Sequence, residues 1–342
     1  MPTGFRVRET ALMGRAGVAA VVVLAALPGC TATPDPPRPA PSAISTPGLA
    51  WQRLAPPPSA RTEVAATVLG PRVYLAGGYR ADGGTVATVE VLDTATRTWT
   101  TAPDLPLPVN HAMAATVGSA VHVFGGYRAD GAPSERAYRL GPQGWSRIAD
   151  LPEGRAAGTA VAAGDTVYIA GGIGPGGALA TQMLAYAAGT DSWSILPGPP
   201  TPREHLGGAA LGGRVYTVAG RARSAGNLAA FEAYDPATRQ WTKLPDVPTP
   251  RGGLAAAASC QGHVVAVGGE AATTFEEVEA YDVRAGAWRS LPPLPTPRHG
   301  LGVVTVGPVL YVLAGGPEPG LHVADAAEAL DLSPLGPCPS ST

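Results

Sequence analysis

Residues 215–251 read VYTVAGRARSAGNLAAFEAYDPATRQWTKLPDVPTPR. A short apolar run, VYTV, ends in Ala219-Gly220, and a variable loop leads to a second apolar run, FEAYD (231–235). Asp235-Pro236-Ala237-Thr238 is turn chemistry. The Trp241 that follows supplies a large apolar body to a further extended piece. The Pro-rich LPDVPTPR (244–251) cannot continue a hydrogen-bonded ladder, so it marks a passage between units.

The same order recurs along the chain. Its six Trp are Trp51, Trp99, Trp145, Trp193, Trp241 and Trp288, spaced 46 to 48 residues apart. Between them stand Gly77-Gly78, Gly125-Gly126, Gly171-Gly172, Ala219-Gly220, Gly268-Gly269 and Gly315-Gly316, each after a short apolar run. Paired glycines at a strand end let backbones approach where side chains would clash. Asp93, Asp235 and Asp282 each precede a Trp by six residues. A period near 47 with four strand-like pieces is the signature of a β-propeller blade.

The Gly pair, the Tyr-Asp, the Trp six residues on and the following Pro-x-Pro-Arg resemble the kelch repeat, over residues 51–331. The expected fold is all-β, a six-bladed kelch propeller. AEALDL (327–332) matches the third strand of a blade, but Pro337 stands where its Trp belongs. Trp51 has no preceding strands of its own, so the last blade is expected to be closed by the N-terminal strand, leaving no open sheet edge.

The 45 Gly and 37 Pro make up about a quarter of the 342 residues, near the level of disordered chains. Placed in register, most of them punctuate the repeat or lie in residues 31–49. Formal net charge is −2 and basic runs are absent, which argues against nucleic acid as a partner. Arg6, Arg8 and Arg15 precede an apolar run, Ala16 to Leu27, that is too short to span a bilayer. Residues 1–29 therefore read as an export signal, residues 30–50 as a Pro-rich tether, 51–336 as the propeller and 337–342 as a tail. Leu27-Pro28-Gly29-Cys30 resembles the lipobox of bacterial lipoproteins, which implies lipidation of Cys30 and anchoring to the outer face of the cell membrane. The competing reading is an ordinary secretory signal with an incidental Cys.

In a kelch-like blade, the loop after the Gly pair and the Pro-rich passage share one face, and the two other turns share the opposite one. Candidate ligand-binding residues on the loop face are Tyr79, Arg80, Tyr127, Arg128, Arg221 and Glu270 after the Gly pairs. Glu63, His111, Glu204, His205 and His299 are read at the starts of the innermost strands. Arg forks suit carboxylates, and Tyr suits sugar rings and peptide edges. The bland alternatives are structural Arg residues (Arg61, Arg155, Arg203, Arg251 and Arg298) capping carbonyls of the neighbouring blade, and solvated turns at the repeated Tyr-Arg-Ala-Asp-Gly. His111, His205 and His299 fall in alternate blades, but a six-bladed mouth is expected to hold them too far apart for a metal. No metal and no cofactor is expected. Cys260 and Cys338, on the turn face of adjacent blades, are candidates for a disulfide.

Fold alone does not choose a function. The favoured reading is an extracytoplasmic module, expected as a monomer, that binds a protein or carbohydrate ligand on its loop face. The alternative comes from similarity to the sialic acid mutarotase of bacterial periplasms, which implies a Glu/Arg pair at the channel mouth. Glu63, Glu204 or Glu270 with Arg61, Arg203 or Arg221 are the available pairs. Galactose oxidase is similar in its blades, but its copper site needs a Tyr–Cys cross-link, and Cys260 lies at the wrong end.

Overall fold

The computed structural model describes residues 48–339. The expectations for residues 1–47, the export signal and Cys30 among them, lie outside these residues, as does the end of the tail. Six four-stranded antiparallel sheets follow one another. In blade one the strands are Ala65–Leu69, Arg72–Ala76, Val89–Asp93 and Thr98–Ala102, in order from the axis outward. Blade six takes Gly302–Val306, Val309–Leu313 and Ala327–Asp331 from the C-terminal end. It takes its outer strand, Trp51–Arg53, from the N-terminal end, with Trp51 opposite Leu330. The expected closure is thus the observed one.

Alternation along the second and third strands packs each sheet against both neighbours. Val215 and Tyr234 face blade three, beside Tyr168 and Met183. Tyr216, Val218, Phe231 and Ala233 face blade five, beside Val264, Ala266 and Tyr281. Two further devices tie blade to blade. Each Trp indole donates to a backbone carbonyl at the end of the preceding blade: Trp51 to Pro292, Trp99 to Ala55, Trp145 to Pro103, Trp193 to Ala149, Trp241 to Pro197 and Trp288 to Pro245. The Asp six residues before the Trp organises the turn. Asp282 Oδ1 accepts from the amides of Arg284 and Ala285, both at 2.9 Å, and Asp93 and Asp235 do the same in their blades.

The five Arg of the Pro-rich passages are fully buried. The expected target of these guanidiniums, the neighbouring blade, is corrected: each side chain caps its own blade. Arg61 donates to the carbonyls of Gly77 and Thr88 and pairs with Glu90 at 2.8 Å. Arg203 pairs with Glu232, Arg251 with Glu279 and Arg298 with Glu328. Blade three has Leu184 at the Glu position, and Glu153 from the passage serves Arg155 instead. Blade two lacks both partners, with Val109 and Tyr138 in their places. It is the main chain of this passage that reaches the neighbour. The carbonyls of Arg61, Val109, Arg155, Arg203, Arg251 and Arg298 accept from Gly315, Gly78, Gly126, Gly172, Gly220 and Gly269 respectively, each in the preceding blade. At the first position of the pair in blade two, a Cβ on Gly125 would stand 2.1 Å from the Arg155 carbonyl oxygen; blades four and six carry Ala219 and Ala314 at the equivalent place, with φ of 49° and 55°.

Cys260, in the inner turn of blade five, is joined by a disulfide to Cys338, with Cα atoms 4.9 Å apart and a sequence separation of 78. Among the described residues, no helix is long and apolar enough to cross a membrane.

Candidate functional site

Two residues after each buried Arg (after Val109 in blade two) the chain turns through the left-handed region. The positions are Glu63, His111, Ala157, His205, Gly253 and Gly300, with φ between 50° and 68°. His111 donates its amide to the Glu63 carbonyl, Ala157 to His111, His205 to Ala157, Gly253 to His205 and Gly300 to Gly253. Val64 donates to Gly300, closing the circle. A ring of main-chain hydrogen bonds therefore forms a waist around the axis. The innermost strands begin only beyond it, at Ala65, Met113, Thr159, Gly207, Ala255 and Gly302, so the expected placement of these residues at the strand starts is corrected by about two positions.

The ring breaks the pattern read for the histidines. His111 and His205 occupy equivalent ring positions, whereas His299 stands one residue earlier, equivalent to Thr62, Asn110 and Glu204. Counting from the buried Arg rather than from Pro-Arg-His would have separated them. The expected width of the mouth is corrected too. Ligating atoms of Glu63, His111 and His205 lie within 4.8 Å of one another, and the two imidazole centroids are 4.8 Å apart.

Around this waist the charges interlock. Glu63 Oε2 is 3.2 Å from His111 Nε2, and Glu63 Oε1 accepts from His299 Nδ1 at 3.1 Å. His299 Nε2 donates to the carbonyl of Glu318 at 3.0 Å. Both nitrogens face acceptors, an arrangement that favours the protonated ring. Burial alone would depress its pKa, but the hydrogen bond and charge of Glu63 outweigh burial and raise it. Burial likewise raises the Glu63 carboxyl, yet His111 beside it and the hydrogen bond from His299 bring it well below the carboxylate range. Burial dominates at His111 and His205 and pushes both imidazoles toward the neutral form.

A stability prediction follows from His299. Its raised pKa means that protonation favours the fold, so its contribution is complete below the unfolded value of 6.5 and fades as pH rises through the folded value. The thermal midpoint of wild type is expected to exceed that of His299→Gln most on the acid side of pH 6.5, and the gap to narrow in alkaline buffer. A constant gap would contradict the assignment.

Above the waist, a cavity of about 360 Å³ opens on the loop face between Tyr127, Ile173, Glu204, His205, Arg221 and Arg223. A short hairpin of blade four, Arg221–Ala222 with Gly226–Asn227, carries the two Arg. Arg221 is clamped by Glu204 at 2.9 Å and Glu270 at 2.7 Å. Arg223 is exposed and, among the described residues, forms no ion pair; the sequence reading had not singled it out. Tyr79 and Tyr127 flank His111, their rings edge-on at 6.0 and 5.4 Å. Arg80 and Arg128 lie apart from this cluster. They turn back onto Asp82 and Asp130 of their own loops, at 3.1 and 3.0 Å.

An all-β ring of six repeats, closed by strands from both ends and carrying its variable loops on one face, defines the molecule as a β-propeller. Residues 110–316 match the family model described as the KLHDC2/KLHL20/DRC7 Kelch-repeats domain, and residues 60–106 match the Kelch motif. The chain belongs to the Kelch-repeat family. No curated protein matches it. Kelch propellers commonly mediate protein interactions, and the fold is that of a protein-interaction module.

Proposed function

We propose that this protein is an exported interaction module whose loop face takes a carboxylate-bearing segment of a partner over the cavity between Tyr127 and Arg223. The observation that carries the reading is the contrast among the loop-face guanidiniums. Arg80, Arg128 and Arg221 are neutralised by carboxylates of the chain itself, whereas Arg223 stands exposed beside a tyrosine-lined cavity without one. Arg with Tyr at a cavity rim is the composition of an interface hot spot. Arg223→Glu is expected to weaken binding of an acidic peptide by at least about tenfold. Arg239→Glu, in the third-to-fourth strand turn of the same blade on the opposite face, is expected to leave it unchanged, as read by fluorescence titration.

The mutarotase-type alternative has less support. It requires an Arg available to a sugar carboxylate, whereas Arg61 and Arg203 are buried within their blades and Arg221 already holds two glutamates. For the location we propose export and lipidation at Cys30, with the loop face turned away from the membrane. The basic, apolar and Leu-Pro-Gly-Cys order of residues 6–30 supports this, as does the Cys260–Cys338 disulfide, a bond that persists in oxidising compartments. Metabolic labelling with an alkyne fatty acid is expected to mark the wild type and not Cys30→Ser. Equal labelling of both would remove the anchor.

A further inference from the structure

We infer that the waist of the propeller is a binding site for one divalent transition-metal ion of the zinc class, held by Glu63, His111 and His205. Three observations converge. First, the backbone ring fixes the three residues at successive or alternate positions around one axis and brings their ligating atoms within 4.8 Å. Zinc ligands at about 2.1 Å stand about 3.4 Å apart in a tetrahedron, so the widest pair closes by about 1.4 Å through side-chain rotation.

Second, the hydrogen bonds leave an opening for a cation. The Asn110 amide group donates from Nδ2 to Thr85 Oγ1 at 2.8 Å, which turns its Oδ1 toward His111 Nδ1 at 2.6 Å. With Nδ1 engaged by Asn110, Nε2 is the atom turned toward Glu63 Oε2 at 3.2 Å, so a ring nitrogen and a carboxylate oxygen stand side by side at the axis. An oxygen behind Nδ1 is also the usual support of a metal-bound imidazole. His205 is nine-tenths buried, and its Nδ1 lies against the Glu204 carboxylate.

Third, the waist is open on both sides. Two cavities meet at His205, the loop-face cavity above and a channel of about 140 Å³ below, so the ion has a route in and a position left for water. Two histidines and one carboxylate with an open position form a donor set that zinc and iron(II) both accept.

Chelator-treated, untagged protein dialysed against zinc near neutral pH is expected to retain one equivalent by elemental analysis. X-ray absorption at the zinc edge is expected to show imidazole ligation with an oxygen donor. His205→Ala and Glu63→Gln, shown folded by circular dichroism, are expected to bind at least about tenfold more weakly; His322→Ala, at an exposed histidine, is expected to bind as wild type does. If the ring variants fail to fold, the wild-type stoichiometry and absorption spectrum decide alone. Folded wild type that retains no zinc, retained zinc without imidazole ligation, or a folded His205→Ala that binds like wild type would overturn the site. None of these readouts depends on the partner proposed for the loop face.

Discussion

Arg251→Ala is expected to destabilise the propeller by about 3–5 kcal/mol, because it strands Glu279 in the interior with no counter-charge. The guanidinium also caps the Gly268 carbonyl at 2.7 Å and the Thr249 carbonyl at 2.8 Å, and these buried oxygens would lose their donor. The size of the effect comes from the unpaired charge rather than from the net worth of the pair. Arg251→Met with Glu279→Leu should therefore recover most of the loss, since apolar replacement of a whole buried pair is often neutral or better. Blade two is the natural precedent, carrying Val109 and Tyr138 where its neighbours carry Arg and Glu. Chemical denaturation of the single and double variants checks both halves. A single variant within about 1 kcal/mol of wild type, or a double variant worse than the single, would contradict the account.

Deleting residues 48–54 is expected to do comparable damage by a different route. Trp51 and Leu49 pack against Leu330, Leu332 and Leu291, and Leu54 packs near Ala327. Losing the partial burial of these three side chains forfeits about 3–6 kcal/mol in all, at about 1.5–3 kcal/mol for each side chain fully buried. The Ala327–Asp331 strand would also be left with an unpaired edge, a template for association with other chains. Size-exclusion chromatography is expected to show larger oligomers or aggregates than wild type forms, and a synthetic peptide covering residues 48–56 should restore the wild-type elution. A truncated chain that stays monomeric and equally stable would mean that the seam is closed by something other than this strand.

The blade count, the strand order and the closure were legible because identity recurs at the positions that determine them. Trp donates an indole, Asp turns the outer hairpin and Gly allows the close approach, and no other residue does each job as well. The waist was not legible in the same way. Glu63, His111, Ala157, His205, Gly253 and Gly300 share a backbone conformation and a ring of main-chain hydrogen bonds, and neither leaves a mark on residue identity. The side chains of Glu63, His111 and His205 converge on one axis, which is why two histidines read as lying across a wide mouth meet at its narrowest point. The Arg–Glu pairs were half legible. The Glu of VEVLD, FEAYD, VEAYD and AEALD recurs in the four blades whose Arg it holds, but their partnership depends on both being buried. The role proposed for Arg223 rests on its forming no ion pair among the described residues, a property of three-dimensional neighbours alone.

A peptide-display selection on the purified propeller, with the selected peptides re-measured on Arg223→Glu and Arg239→Glu, tests the functional reading most directly. The account predicts enrichment of peptides bearing Asp or Glu beside an apolar residue. It also predicts at least about a tenfold loss of affinity, or about 1.4 kcal/mol, on Arg223→Glu and none on Arg239→Glu. Selected peptides without carboxylate side chains, or peptides that bind Arg223→Glu as tightly as wild type, would contradict it.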